Sequence, residues 1–190
     1  MTESNEHPVP AEPVQHILAA ARYAAAKHAS QKRKGVAEEP YVNHLLEVAE
    51  LIAGSSQVLD TELVMAGLLH DTIEDTGVTR QELEQLFGND VASLVVEVTD
   101  DKSLPQEMRK ALQVQNAGKK SARAQTLKLA DKISNLRSML ASPPADWSLQ
   151  RRRQYFEWAG QVVAGLSAPN SLLKAEFDKT YAMLARLQEG

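Results

Sequence analysis

Cysteine is absent from the 190 residues. That excludes disulfides and thiolate metal sites, so any metal must be held by histidine, aspartate, glutamate or asparagine. Long apolar runs are also missing: none approaches the roughly 20 residues of a membrane-spanning helix. The opening MTESNEHPVPAEP has no basic stretch and no apolar one, so no signal peptide is expected. These absences make the cytoplasm the expected location, with no membrane partner. Positive charge is not in excess either. A formal net charge of −4 argues against a general nucleic-acid-binding surface. An anionic small molecule would need a local basic patch.

What is present is the composition of an ordinary globular protein, 43% hydrophobic and 24% charged, long enough for one domain with a substantial core. Residues 1–12 read as a flexible tail and 13–190 as the domain. No internal repeat or low-complexity tract interrupts it. Helical spacing predicts helices over 14–30 (Ile17, Leu18, Ala21, Ala24, Ala25 and His28 on one face), 41–53 (Leu45, Leu46, Val48, Ala49, Ile52) and 61–76. Thr79 and Glu82 open the next helix as a capping box. VASLVVEVT, 91–99, has the composition of a strand, but no second strand candidate stands nearby and it is assigned as helix. Helices over 105–117, 122–140, 147–166 and 171–187 complete an all-α single domain. Its helical surfaces suit a monomer or a dimer.

The stretch GLLHDTIED, 67–75, places His70, Asp71, Glu74 and Asp75 at the end of an apolar run. On a continuous helix His70 and Glu74, and Asp71 and Asp75, share a face. Three carboxylates at the negative end of a helix dipole call for a compensating cation. Other helices offer partners. Asn43-His44 lies just inside one; KLADKISNL, 128–136, offers Asp131 and Asn135, with Asp131 beside the apolar stripe. His44, His70, Asp71 and Asp131 would form a mixed nitrogen–oxygen site, better suited to Mn²⁺, Fe²⁺ or Zn²⁺ than to Ca²⁺.

The pattern H…HD…D resembles that of the HD-domain metal phosphohydrolases. Six ordered blocks sharpen the likeness: HxxQxRK (28–34), PYVNHLLEVA (40–49), GLLHDTIEDTGVT (67–79), FGNDV (87–91), VTDDKSLP (98–105) and KLADKISNLR (128–137). They are similar to the hydrolase domain of RelA/SpoT homologues. VTDDKSLP, RQYFEWAGQVVAGL (153–166) and the longer RKGVAEEPY loop resemble its stand-alone small alarmone hydrolases, which include a metazoan form. The resemblance covers roughly residues 14–188 and implies a single HD-domain helical bundle without a synthetase. It implies hydrolysis of the 3′-pyrophosphate of (p)ppGpp with one Mn²⁺ held by His44, His70, Asp71 and Asp131. The family's Glu-Asp pair, which orients and deprotonates the attacking water, falls on Glu74 and Asp75. Its substrate-binding positions fall on Arg33, Lys34, Asn135 and Tyr155. One departure is visible: Leu45 follows His44 where the family often has proline.

The residue chemistry is coherent with that implication. A divalent metal acidifies water, a carboxylate takes the proton, and Arg33 and Lys34 offer a fork and a point charge to phosphate. Lys102, Arg109 and Lys110 either extend this basic rim or lie on the surface. Lys128 is expected to be exposed, and His28 to pack or to support the site. Two other functions share these residues: removal of the 2′-phosphate of NADPH, and nucleotide binding without catalysis.

Overall fold

The computed structural model describes residues 11–188. Its helices, in chain order, are α1 (Ala11–Lys27), α2 (Val42–Ala53), α3 (Thr61–Leu69), α4 (Thr72–Thr76), α5 (Arg80–Phe87), α6 (Asn89–Val98), α7 (Gln106–Asn116), α8 (Ala122–Ala141), α9 (Leu149–Ala164) and α10 (Ser171–Ala182). No strand occurs among the described residues, and the ambiguous VASLVVEVT is helical within α6 as far as Val98. The expected tail lies mostly outside the described residues; its last two, Ala11 and Glu12, open α1. No described helix is long and apolar enough to cross a membrane.

Polar side chains fix where the helices start. Asp60 accepts from the Leu63 amide at 2.9 Å to open α3. Ser121, Ser148 and Asn170 do the same for α8, α9 and α10. The predicted capping box at Thr79 is half made. Its hydroxyl accepts from the Glu82 amide at 3.2 Å, but the Glu82 carboxylate accepts from Tyr23 and Lys27 of α1 instead.

α8 runs through the middle of the bundle, buried along most of its length. Leu127, Leu129, Ile133 and Leu136 on it are fully enclosed, as are Leu45 of α2 and Leu69 of α3. Burying side chains of this size stabilises the fold by about 1.5–3 kcal/mol each. Leu18 and Leu46, read as core positions, are instead 62% and 47% exposed. α2 and α3 pack closely because Gly67 lies between them. A Cβ there would sit 2.7 Å from Ile52 Cδ1 and 3.5 Å from the Ala49 Cα.

The expected helix over 61–76 is two helices. α3 ends at Leu69, and Asp71 at φ −97°, ψ −2° turns the chain before α4. Side chains take the carbonyls that a continuing helix would have used. His70 Nδ1 bonds the Gly67 carbonyl at 2.8 Å, and Thr72 donates to the Leu69 carbonyl at 2.6 Å. His70 and Asp71 therefore stand at a corner, not on one stripe with Glu74 and Asp75.

Candidate active site

The corner aims His70 and Asp71 at α2 and α8. His70 Nε2 lies 3.2 Å from Asp71 Oδ2 and 3.9 Å from Asp131 Oδ1. His44 Nε2 lies 3.7 and 3.5 Å from the same two oxygens. His44, His70 and Asp131 are all buried, and their ligand atoms fall within 4.8 Å of one another. The two imidazoles meet edge to face at 5.2 Å.

Hydrogen bonding decides which ring nitrogens are bare. The Gly67 carbonyl can only accept, so His70 Nδ1 carries a proton, and Nε2 is the nitrogen left bare in the neutral ring. That Nε2 is buried with no hydrogen-bond partner. Burial also holds the His44 pKa well below the ordinary histidine value, so its ring is neutral. Two imidazole Nε2 atoms thus face two carboxylates across less than 4 Å, and with both nitrogens bare their lone pairs oppose the carboxylate oxygens. This is a repulsive arrangement unless a cation sits among them. The donor set fits a divalent cation that accepts both imidazole and carboxylate.

The carboxylates are themselves held. Tyr41 donates to Asp71 at 2.6 Å, and burial beside Asp71 keeps its phenol protonated by raising its pKa. Asn135 donates to Asp131 at 2.5 Å, and Lys132 pairs with its other oxygen at 3.0 Å. Burial pushes the Asp131 pKa up, but the surrounding groups, Lys132 first among them, together outweigh it and hold the acid well below the usual range. Lys132 lies 4.4 Å from the Trp158 ring, which shields the pair.

In front of this cluster opens a cavity of about 500 Å³. Arg33, Lys34, Glu74, Asp75, Asn135 and Tyr155 all line it. The proposed metal ligands His44, His70, Asp71 and Asp131 lie behind that lining as a buried floor, joined to it through Tyr41 and Asn135. Gly35 lets the Arg33–Lys34 loop lie against the end of α8: a Cβ there would collide with the Ser142 carbonyl, 2.1 Å away. Ala37 donates to the Ser142 hydroxyl at 2.9 Å and fastens the same loop. Tyr155 packs at an angle among aromatics, with Trp147 at 5.7 Å and Trp158 at 5.3 Å.

Glu74 and Asp75 are neighbours with opposite electrostatics. Glu74 accepts from the Asp100 amide at 3.2 Å and faces Arg109 at 3.5 Å. Burial dominates, and its pKa is raised. For Asp75 burial acts the same way, but hydrogen bonds from Lys102 and Gln31 outweigh it, and its pKa is lowered. Gln31 is positioned by His28, its Oε1 2.6 Å from Nδ1.

Several of these partners were not legible as site residues. Tyr41 and Gln31 stand inside the motif blocks but carry no spacing signal. Lys102 and Arg109, left open between rim and surface, line the cavity. Lys110 packs against the Tyr155 and Trp158 rings at 5.6 and 5.0 Å. Lys128, expected to be exposed, is 8% exposed. The carboxylates of Glu74 and Asp131 attract it inward.

The sequence profile of the HD domain matches residues 20–157. The chain belongs to the HD-domain family. Within it, the likeness is to stand-alone SpoT-like hydrolases. The guanosine-3′,5′-bis(diphosphate) 3′-pyrophosphohydrolase of Xenopus tropicalis is 47% identical over 165 residues, 87% of this chain and 92% of that one. The Homo sapiens protein of the same name is 47% identical over 158 residues, 83% and 88% of the two chains. A solved structure described as a metazoan ortholog of SpoT that hydrolyzes ppGpp superposes with a TM-score of 0.85. It is 42% identical, covering 93% of this chain and 97% of that one.

Proposed function

We propose that this protein is a metal-dependent (p)ppGpp 3′-pyrophosphohydrolase, a hydrolase that releases pyrophosphate and leaves GDP or GTP. The observation that carries the reading is two buried imidazole nitrogens converging with two carboxylates just behind a basic cavity. The substrate is read from the relatives named above, which bear this activity in their names and match nearly end to end.

In this reading His44, His70, Asp71 and Asp131 hold one divalent cation, which we take to be Mn²⁺, with Zn²⁺ or Fe²⁺ compatible with the same donors. When bound, it supplies an acidified water and a Lewis acid for the phosphoryl oxygens. Glu74 takes the proton of the attacking water, because burial gives it the more basic carboxylate. Asp75, tied to Lys102 and Gln31, holds the wall on which Glu74 sits. The new bond joins water oxygen to the phosphorus attached to the ribose 3′-oxygen. The bond from that phosphorus to O3′ breaks, and the released O3′ is protonated from solvent. Arg33, Lys34, Lys102 and Arg109 neutralise the charge of the transferred and leaving groups. Asn135 and Tyr155 contact the nucleoside, Tyr155 by offering a ring face. We place this chemistry in the cytoplasm.

The test is release of pyrophosphate from ppGpp by the metal-stripped chain with and without added Mn²⁺, run beside phosphate release from NADPH. Mn²⁺-dependent pyrophosphate release is the expected result. Efficient phosphate release from NADPH with ppGpp left intact would move the assignment to a 2′-phosphatase on the same floor. Tight ppGpp binding with no turnover, metal present, would make the protein a binder.

A further inference from the structure

The two histidines of the floor fix their tautomers differently. His70 uses a backbone carbonyl, which can only accept. His44 Nδ1 instead faces the Ser134 hydroxyl at 2.8 Å. A hydroxyl donates or accepts with equal ease, so serine alone leaves the ring undecided. Glu47 removes the ambiguity. Its Oε2 takes the Ser134 proton at 2.6 Å, so the serine oxygen is left to accept from His44. Arg137 donates to the other Glu47 oxygen at 2.9 Å and to Glu176 of α10 at 2.8 Å, which orients Glu47.

We infer that Glu47, acting through Ser134, is a positioning residue that holds His44 in the Nδ1-protonated tautomer and so presents a bare Nε2 to the metal. This inference rests on the metal reading of the site. Glu47 lies one turn after His44 on α2 and touches neither substrate nor cation. Its role is electronic bookkeeping of a single proton, the same logic by which a buried carboxylate sets a catalytic imidazole.

The geometry makes an unusual forecast for Glu47→Gln. The amide has only one acceptor oxygen. Arg137 has donors alone and claims it, so the amide NH₂ turns to Ser134. The serine then accepts from the amide and donates to His44 Nδ1. His44 becomes Nε2-protonated and cannot ligate. Removing Arg137 in the same chain frees the amide to rotate, and its oxygen returns to Ser134.

The experiment uses the full chain with ¹⁵N-labelled histidine. Metal-free spectra report the His44 tautomer, competition with a chromophoric chelator reports Mn²⁺ affinity, and thermal melting reports the fold. Wild type is expected to be Nδ1-protonated. Glu47→Gln is expected to be Nε2-protonated and to bind Mn²⁺ about 10- to 100-fold more weakly. Glu47→Gln with Arg137→Ala is expected to regain the wild-type tautomer and the affinity of Arg137→Ala alone. A merely structural role predicts the reverse, since losing a second side chain can only add damage. The inference is overturned if Glu47→Gln keeps the wild-type tautomer and affinity, or if the double variant is no better than the single. A wild-type chain that binds no divalent cation sinks the metal reading and the relay's purpose with it. The metal-free spectrum tells those two failures apart.

Discussion

Behind the cavity, His44, His70 and Asp131 are 3%, 4% and 7% exposed. They project from helices or a helix corner, and each polar atom is either held by a neighbour or aimed at the others. Around the mouth, Lys32 and Lys102 have side chains 60% and 48% exposed, and Lys34 is exposed too. These lysines and arginines stand on loops or helix starts. Three of these charges are already matched within the protein: Lys32 with Glu38, Lys102 with Asp75, Arg109 with Glu74. The floor is thus organised before any ligand arrives, whereas the rim must be reorganised by one. Phosphate groups entering the cavity compete with Glu74 and Asp75 for Arg109 and Lys102.

The contrast breaks most cleanly at the floor. His70→Ala should abolish cation binding and lower pyrophosphate release by about 1000-fold or more, roughly 4 kcal/mol of barrier. Metal content and turnover, measured on the same sample, check this. A variant that loses turnover but keeps its metal would remove His70 from the ligand set.

Glu74→Gln comes next, with kcat expected to fall about 10²- to 10⁴-fold at nearly unchanged Mn²⁺ affinity. Asp75→Asn should cost about tenfold, because it disturbs a wall contact and not the base. If the two effects come out in the opposite order, the roles assigned to the pair are reversed.

The same pair sharpens the pH dependence. Glu74 acts as its carboxylate, and its pKa is raised by burial. Activity should therefore fall as pH drops through that pKa, on an acid limb lying above the ordinary glutamate value, and the limb should vanish in Glu74→Gln. Stability carries the opposite sign. A carboxyl raised in the folded state penalises folding at pH values above its pKa, so Glu74→Gln should melt at or above the wild-type temperature at neutral pH. A clear loss of stability there would show that the charge is supported and not penalised.

At the rim the effects should be smallest. Lys34→Ala and Lys102→Ala should each raise KM several-fold, with kcat nearly kept for Lys34. Added salt should shrink the difference from wild type, since exposed charges are screened within about 10 Å at 0.1 M. A loss that persists at high salt would place either lysine with the floor.

The same division governs what was legible in the sequence. His44, His70, Asp71 and Asp131 carry both motif and burial signals, because core helices have periodicity. The helical state of VASLVVEVT followed from the lack of a pairing partner. The corner at Asp71 did not show, because it depends on His70 and Thr72 capturing carbonyls, which spacing alone cannot reveal. Tyr41 and Gln31 act through contacts made across the fold. Lys128 was misplaced because a lysine is normally solvated, and only the acids around α8 reverse that.

Gly67 was introduced as the place where α2 and α3 nearly touch. Its carbonyl also orients His70, and His44 sits on the opposite helix. One missing carbon therefore works as a gauge: it sets the gap between two imidazoles that share no covalent neighbour. A methyl group added there wedges two helices apart and detunes the gap, far from any charge and without touching a single ligand atom. Selection for metal chemistry can thus be written into a position that has no side chain at all.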